Sequence, residues 1–184
     1  MPLTSDDSEK TRRFREQALP YLDDVYTLAR YLLRDASDAE DAAQECYLRA
    51  FRHFDTYHGP DIKPWLLAIL RNVCNAEYAR RAHSPAAIDD DTEATEQMTP
   101  MWHDVEASPE TEVLSNYDAT TIRKLIETLG EPFKETLVLR EINNLSYREI
   151  AETVGAPVGT VMSRLTRARA MLRAAWMAEE ENPK

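Results

Sequence analysis

The sequence predicts an all-α protein built from two small helical domains. Strand signals are few, because only four glycines occur and no alternating apolar run is bounded by hairpin dipeptides. Apolar residues recur instead at steps of three and four, the spacing of an amphipathic helix. An acidic, proline-containing segment without such periodicity interrupts the 184-residue chain. It leaves room for two domains of about 60–80 residues each.

The division into domains follows this acidic segment. The predicted order is an N-terminal tail or frayed helix start (1–17), a helical domain (18–83), an acidic linker (84–118), a second helical domain (119–178) and a C-terminal tail (179–184). The linker holds ten Asp and Glu residues and no Lys or Arg. Without it the net charge of −11 falls close to zero, with 23 acids against 22 bases, so the domains are free to present local basic faces.

Helix signals fix the elements of each domain. The first domain is predicted to hold helices over 19–33, over 37–54 behind a Ser37–Glu40 capping box, and over 64–81 opened by Pro64. A loop over 55–63 separates the last two. The second domain is predicted to begin with helices over 120–129 and 132–142, which complete a four-helix core with the pair that follows.

The last third of the chain predicts a helix-turn-helix. Ser146 and Glu149 form a capping box, Gly155 suits a helix C-terminus with positive φ, and Pro157 suits the first turn of the next helix. That second helix carries an apolar stripe of Val158, Val161, Leu165, Ala168, Leu172 and Trp176. Hydroxyls and guanidinium groups lie opposite the stripe. Such a face suits the major groove of DNA, although a solvated basic face has the same pattern.

Other functional classes find little support. The four histidines occupy separate helix, loop and linker positions, and neither a phosphate-binding glycine loop nor a nucleophile motif is present. We expect no catalytic residue, no cofactor and no metal. Cys46 and Cys74 lie inside helical patterns, which favours buried thiols and a cytoplasmic location over a redox pair. No apolar run approaches the roughly 20 residues of a membrane span, so we expect no membrane insertion.

Several short motifs, taken in order, resemble one family. They are Asp38-Ala39-Glu40-Asp41-Ala42-Ala43-Gln44-Glu45, Arg49-Ala50-Phe51, Pro64-Trp65-Leu66 with Arg71-Asn72, Tyr147-x-x-Ile150-Ala151, and Pro157-Val158-Gly159-Thr160-Val161-x-Ser163-Arg164. The chain over about 18–178 thereby resembles the extracytoplasmic-function sigma factors of bacterial RNA polymerase. The resemblance implies a region 2-like bundle of three or four helices and a region 4-like helix-turn-helix. The acidic linker resembles the segment that threads the polymerase's nucleic-acid channel, and a solvated spacer fits the same residues.

The resemblance also assigns surfaces. Asp41, Gln44, Glu45 and Leu48 are implied to contact the polymerase, and an exposed acidic helix face with an apolar neighbour suits a basic partner. A solvated acidic face is the alternative interpretation.

Two promoter-binding sets follow from the same resemblance. Recognition and melting of the minus-10 element are implied for Tyr57, His58, Gly59, Asp61, Arg71, Asn72 and Asn75, where a pocket would hold an unstacked base. Trp65 fits either a stacking platform or the core, with the core favoured. The minus-35 element is implied to meet Gly159, Thr160, Ser163, Arg164, Thr166 and Arg167. The chain departs from the family pattern at Ala76 and Glu77, so the family's contacts at those two positions do not transfer. It also departs at Met162, a position often basic in the family, so base preference does not transfer.

The expected partners are core RNA polymerase, promoter DNA and an anti-sigma factor, the last implied only by the resemblance. Two other functions stay open. One is a stand-alone helix-turn-helix regulator that binds duplex DNA without polymerase. The other is a sigma-like mimic that sequesters an anti-sigma factor, which the arginines of the last helix disfavour because a decoy does not need them.

Overall fold

A computed structural model describes residues 5–82 and 119–181, and every regular element in these two ranges is helical. The N-terminal half contains α1 (Ser5–Ala18), a 3-10 turn (Leu19–Tyr21), α2 (Leu22–Leu33), α3 (Ala36–His53), a second 3-10 turn (Phe54–Thr56) and α4 (Ile62–Ala82). The C-terminal half contains α5 (Ala119–Thr128), α6 (Phe133–Glu141), α7 (Tyr147–Val154) and α8 (Val158–Glu181). The all-α prediction is confirmed. The predicted acidic linker lies outside the described residues.

The N-terminal segment is part of the fold: residues 5–17, for which the sequence predicts a tail or a frayed helix start, belong to the packed helix α1. Phe14 on α1 is 7% exposed and makes edge-to-face contacts with Tyr47, Phe51 and Phe54, with ring centroids 6.1, 5.3 and 5.2 Å apart. The Tyr47 hydroxyl also donates to the Ala18 carbonyl over 2.9 Å. One apolar side chain in a polar segment gives no periodic signal, so the docking of α1 depends on its tertiary neighbours.

Two predicted helix starts in this half are wrong. Helix α3 is capped by Asp35, whose carboxylate accepts from the Asp38 amide over 3.0 Å, and the predicted capping residues Ser37 and Glu40 lie inside the helix. Arg34 has a φ of 62°, which ends α2 and sets Asp35 in the extended conformation that a capping residue needs. Helix α4 begins at Ile62, two residues before Pro64, because Asp61 accepts from the Lys63 amide over 3.0 Å.

The helix-turn-helix prediction is confirmed in detail. The Ser146 amide donates to the Glu149 carboxylate over 2.7 Å, and the Glu149 amide donates to the Ser146 hydroxyl over 3.3 Å. Gly155 ends α7 in the left-handed region, with a φ of 68°. Val161, Leu165, Ala168 and Leu172 of the predicted stripe are buried, and Val158 and Trp176 are not.

Helix α6 lies at the contact between the two halves. It packs against α8 on one side and against α2 on the other, while α4 packs against α7. All six residues from Lys134 to Leu139 are therefore buried, including two charged side chains. The buried apolar residues of both halves form one continuous cluster.

Candidate promoter and polymerase interfaces

The face of α8 predicted to read DNA, which we name the reading face, is the outward surface formed by Gly159, Ser163, Thr166 and Arg167, and all four are exposed. The Ser163 hydroxyl donates to the Thr160 carbonyl over 2.9 Å, and the Thr166 hydroxyl donates to the Met162 carbonyl over 3.0 Å. Both hydroxyl hydrogens are thus directed into the helix, and the oxygens remain available as acceptors. The buried stripe on the other side of α8 holds this face outward.

The arginines of α8 do not all share this face. The Arg169 guanidinium donates to Glu141 on α6 over 2.7 Å, which ties α8 to the rest of its domain. Arg164 is half-buried, and its charge acts on Glu135 of α6. Thr160 is half-buried as well. Of the six residues predicted to contact the minus-35 element, four lie on the reading face and Thr160 and Arg164 lie at its edge.

The loop before α4 brings three of its predicted residues together. The Tyr57 ring stacks on Trp65 with centroids 4.8 Å apart and planes inclined by 30°. A Cβ at Gly59 would lie 2.7 Å from the Tyr57 hydroxyl oxygen, so only glycine fits without disturbing that stack. Burial raises the pKa of Tyr57, and the nearby charge of Asp61 raises it further. His58 is exposed, and Trp65 is half-buried against the core.

The remaining minus-10 candidates lie along α4. Asn72 and Asn75 are exposed, but the Arg71 Nε donates to the Glu135 carboxylate over 2.7 Å. Arg71 lies about 14 Å along the helix from its start at Ile62, at 1.5 Å per residue. The predicted set therefore forms two groups, one around Tyr57 and one on α4, and Arg71 is engaged by the other half of the protein.

Sequence reasoning missed the polar residues that join the two halves. They are Glu135, which pairs with Arg71, and Asn143, whose side-chain amide donates to the Asp24 carbonyl and carboxylate, both over 3.2 Å. Burial raises the pKa of Glu135, and the attraction of Arg71 offsets only part of that rise. No spacing rule marks these residues, because each becomes buried only when a helix distant in sequence covers it.

The predicted polymerase-binding surface lies on one side of α3. Asp41, Gln44 and Leu48 are exposed, Leu48 by 53%, and Glu45 is half-buried in an ion pair with Arg49 over 2.6 Å. The four residues follow the i, i+3, i+4, i+7 spacing, so they form one continuous surface with an apolar side chain at its end. Buried Ala39, Ala43, Cys46 and Ala50 hold the opposite side of the helix in the core.

The two thiols are buried between helices of the first half. Burial raises the pKa of both Cys46 and Cys74 to about 12, and the proximity of Cys74 contributes to the rise at Cys46. The Cys46 thiol donates to the Leu66 carbonyl over 3.3 Å. Both side chains are therefore protonated, packed groups at neutral pH.

Across 5–82 and 119–181, none of the helices combines the length and the apolarity that crossing a bilayer requires.

Known proteins match both halves of the chain. The family model for sigma-70 region 2 matches residues 19–84, and the model for sigma-70 region 4 matches residues 120–172. The RNA polymerase sigma-H factor of Pseudomonas aeruginosa is 33% identical over 161 residues, which cover 86% of this chain and 83% of that protein. The ECF RNA polymerase sigma factor SigW of Bacillus subtilis is 32% identical over 157 residues, 83% of each chain.

A solved structure has the same fold. The sigma factor RpoE of Bartonella quintana, in complex with the anti-sigma factor NepR, superimposes with a TM-score of 0.68 at 23% identity, over 89% of this chain and 96% of that one. The family models, the helix-turn-helix and the two relatives, which share about a third of their residues with this chain, all indicate the same family. The chain belongs to the extracytoplasmic-function sigma factors of bacterial RNA polymerase.

Proposed function

We propose that this sigma factor binds core RNA polymerase in the cytoplasm through the α3 surface and reads promoter DNA with two separate sites. The α8 reading face is assigned to the minus-35 element. The Tyr57 loop and the outer side of α4 are assigned to the minus-10 element. The observation that carries the proposal is the exposed reading face on the second helix of a helix-turn-helix whose first helix is capped at both ends.

Binding of the minus-10 element by Arg71 requires a change in the contact between the two halves. The Arg71 Nε is already bonded to Glu135, so the same atom donates to promoter DNA only after the contact between α4 and α6 opens. Asn72 and Asn75 meet no such condition because both are exposed. Arg71 therefore links promoter binding to the arrangement of the two halves.

Polymerase binding is tested with Glu45→Lys. The new lysine places a positive charge beside Arg49 and on a surface assigned to a basic partner. We expect weaker competition for core polymerase in gel filtration, with the helix content and unfolding midpoint retained. Glu16→Lys is the matched control, because Glu16 is an exposed acid on α1 that also pairs with an arginine four residues away, Arg12. If both variants competed equally well for core polymerase, α3 would not be the polymerase-binding surface.

Promoter reading is tested with Arg167→Ala. A base or phosphate contact from a guanidinium contributes about 1–3 kcal/mol, so transcription from a matched promoter should fall roughly 5- to 150-fold while core binding is unchanged. Arg12→Ala removes an equal charge from α1, outside the helix-turn-helix, and should leave transcription unchanged. If Arg167→Ala loses core binding instead, α8 is a polymerase surface.

Regulation by an anti-sigma factor completes the proposal. Its support is the fold shared with RpoE, whose solved structure contains an anti-sigma factor. Such a regulator should compete with core polymerase for this chain, and Glu45→Lys shows whether the α3 surface is shared. Tight, specific duplex binding without polymerase would favour the stand-alone regulator. Failure to support transcription with core polymerase, combined with capture of an anti-sigma factor, would favour the mimic.

A further inference from the structure

Two apolar side chains are exposed at the start of α8, beside the reading face. Val158 is 41% exposed and Met162 is 46% exposed. They lie four residues apart, so they are neighbours one turn apart on the same side of the helix. Single exposed apolar residues are common on protein surfaces. An adjacent pair in the first two turns of a recognition helix is more informative, because those turns supply the base contacts in a helix-turn-helix.

The chemistry around this apolar pair restricts what it can recognise. Ser163 and Thr166 donate their hydroxyl hydrogens to carbonyls of α8, so toward a ligand they present acceptor oxygens. An apolar side chain beside hydroxyl acceptors matches one edge in the major groove of DNA. An A·T pair there offers the thymine 5-methyl group and the adenine N6 amino donor. A G·C pair also offers an amino donor, at cytosine N4, but it has no methyl group, so the apolar pair is what favours A·T.

We propose that Val158 and Met162 determine minus-35 specificity by contacting thymine 5-methyl groups, which makes A·T pairs the preferred partners of the first two turns of α8. This inference rests on the proposed function of α8 as a promoter reader. The two side chains are separated by one helical turn, about 6 Å along the axis. Base pairs are stacked about 3.4 Å apart, so the contacted thymines lie one or two pairs from each other.

The charges of α8 favour duplex DNA as the occupant of this surface. Arg167 on the reading face and Arg173 further along the helix are both exposed, and no acidic residue occurs in α8 before Glu179. Phosphates flank every major groove, so cations beside an apolar pair complement DNA. A protein partner recognised through the apolar pair alone is the competing outcome, and the experiment separates the two.

The test uses the full chain with core polymerase. Duplexes selected from a randomised library by this holoenzyme give the minus-35 sequence, and each selected thymine is then replaced singly by deoxyuridine, which lacks only the 5-methyl group. At one or two positions we expect binding to weaken about fourfold, the effect of losing one buried methyl contact. With Met162→Ala, thymine and deoxyuridine should bind equally at the position that Met162 contacts.

Three further variants complete the comparison. Met162→Leu keeps an apolar side chain and should keep the preference for thymine. Val158→Ala removes both γ-methyl groups and should remove the preference at the other position. Met177→Ala removes a methionine that is 56% exposed near the end of the same helix and should change nothing.

The possible failures are distinguishable. If the holoenzyme selects no sequence, the proposed function fails. If it selects one without A·T pairs in the minus-35 element, or if deoxyuridine binds as well as thymine throughout, the assignment of Val158 and Met162 fails while promoter reading stands. A protein surface is indicated if Met162→Ala weakens capture of an anti-sigma factor and leaves thymine discrimination intact, which also overturns the assignment.

Discussion

The ion pair between α4 and α6 gives a sharp test of what holds the two halves together. The Arg71 and Glu135 side chains are 2.7 Å apart and are 26% and 8% exposed. Burial raises the pKa of Glu135 despite this attraction, so the desolvation of the carboxylate outweighs the attraction to Arg71. We predict that Arg71→Met alone destabilises the protein more than Arg71→Met combined with Glu135→Gln.

The magnitudes follow from the exposures. Removing one partner of a buried pair costs about 3–5 kcal/mol when the other charge stays buried. Arg71→Met leaves the buried carboxylate, so we expect about 3 kcal/mol. Glu135→Gln leaves a guanidinium that water reaches, and we expect about 1 kcal/mol. The double variant should also cost about 1 kcal/mol, which gives a coupling energy of about 3 kcal/mol.

Urea unfolding followed by circular dichroism measures these differences, and pH checks their origin. A carboxyl whose pKa is raised by folding contributes stability below its unfolded value of about 4.3, and that contribution is lost as pH rises. The difference in free energy of unfolding between wild type and Arg71→Met should therefore grow between pH 5 and pH 8. Arg80→Met, which removes an exposed ion pair with Glu77, should leave the midpoint unchanged. If Arg71→Met and Arg80→Met lowered the unfolding midpoint equally, the claim that the buried carboxylate of Glu135 depends on Arg71 would be refuted.

Two other predictions concern the first helix and the capping box. Phe14→Ala should lower the free energy of unfolding by about 3–5 kcal/mol because it empties the aromatic cluster beneath α1, whereas Leu19→Ala, at an exposed position, should have little effect in the same urea titration. Ser146→Ala should cost about 1 kcal/mol. Hydrogen bonds from Ser146 lower the pKa of Glu149, so the stability lost in Glu149→Ala is present above about pH 4.3 and shrinks as pH falls further. If the stability lost in Glu149→Ala were as large at pH 3 as at neutral pH, this explanation would be contradicted.

Local rules were sufficient for the helix-turn-helix. The Ser146–Glu149 capping box, the left-handed Gly155 and most of the apolar stripe of α8 appear in the structure as predicted, because each depends on residues within one or two turns of each other. The same short range explains why the all-α class followed from composition and periodicity. Four of the six minus-35 candidates lie on one exposed face for this reason.

Local rules failed where a neighbouring backbone conformation shifted a cap or where burial came from a distant helix. The sequence predicts Ser37 as the cap of α3, but the positive φ of Arg34 sets Asp35 in the extended conformation, and Asp35 caps the helix instead. Phe14 and Ala18 are the only apolar residues of α1, too few to give a periodic signal, so only the ring cluster of the folded domain reveals the role of Phe14.

The amino-acid sequence by itself therefore determined the helical class, the capped helix α7 with the apolar stripe of α8, and the charge distribution, since all three depend on neighbouring residues. Only the tertiary structure decided which charges are used internally. Arg169 supports its own domain, and Arg71, which the resemblance assigns to promoter DNA, reaches Glu135. The physical reason is that a guanidinium pairs with a carboxylate that the fold brings within hydrogen-bonding distance. Glu141 lies 28 residues from Arg169 along the chain, and Glu135 lies 64 residues from Arg71.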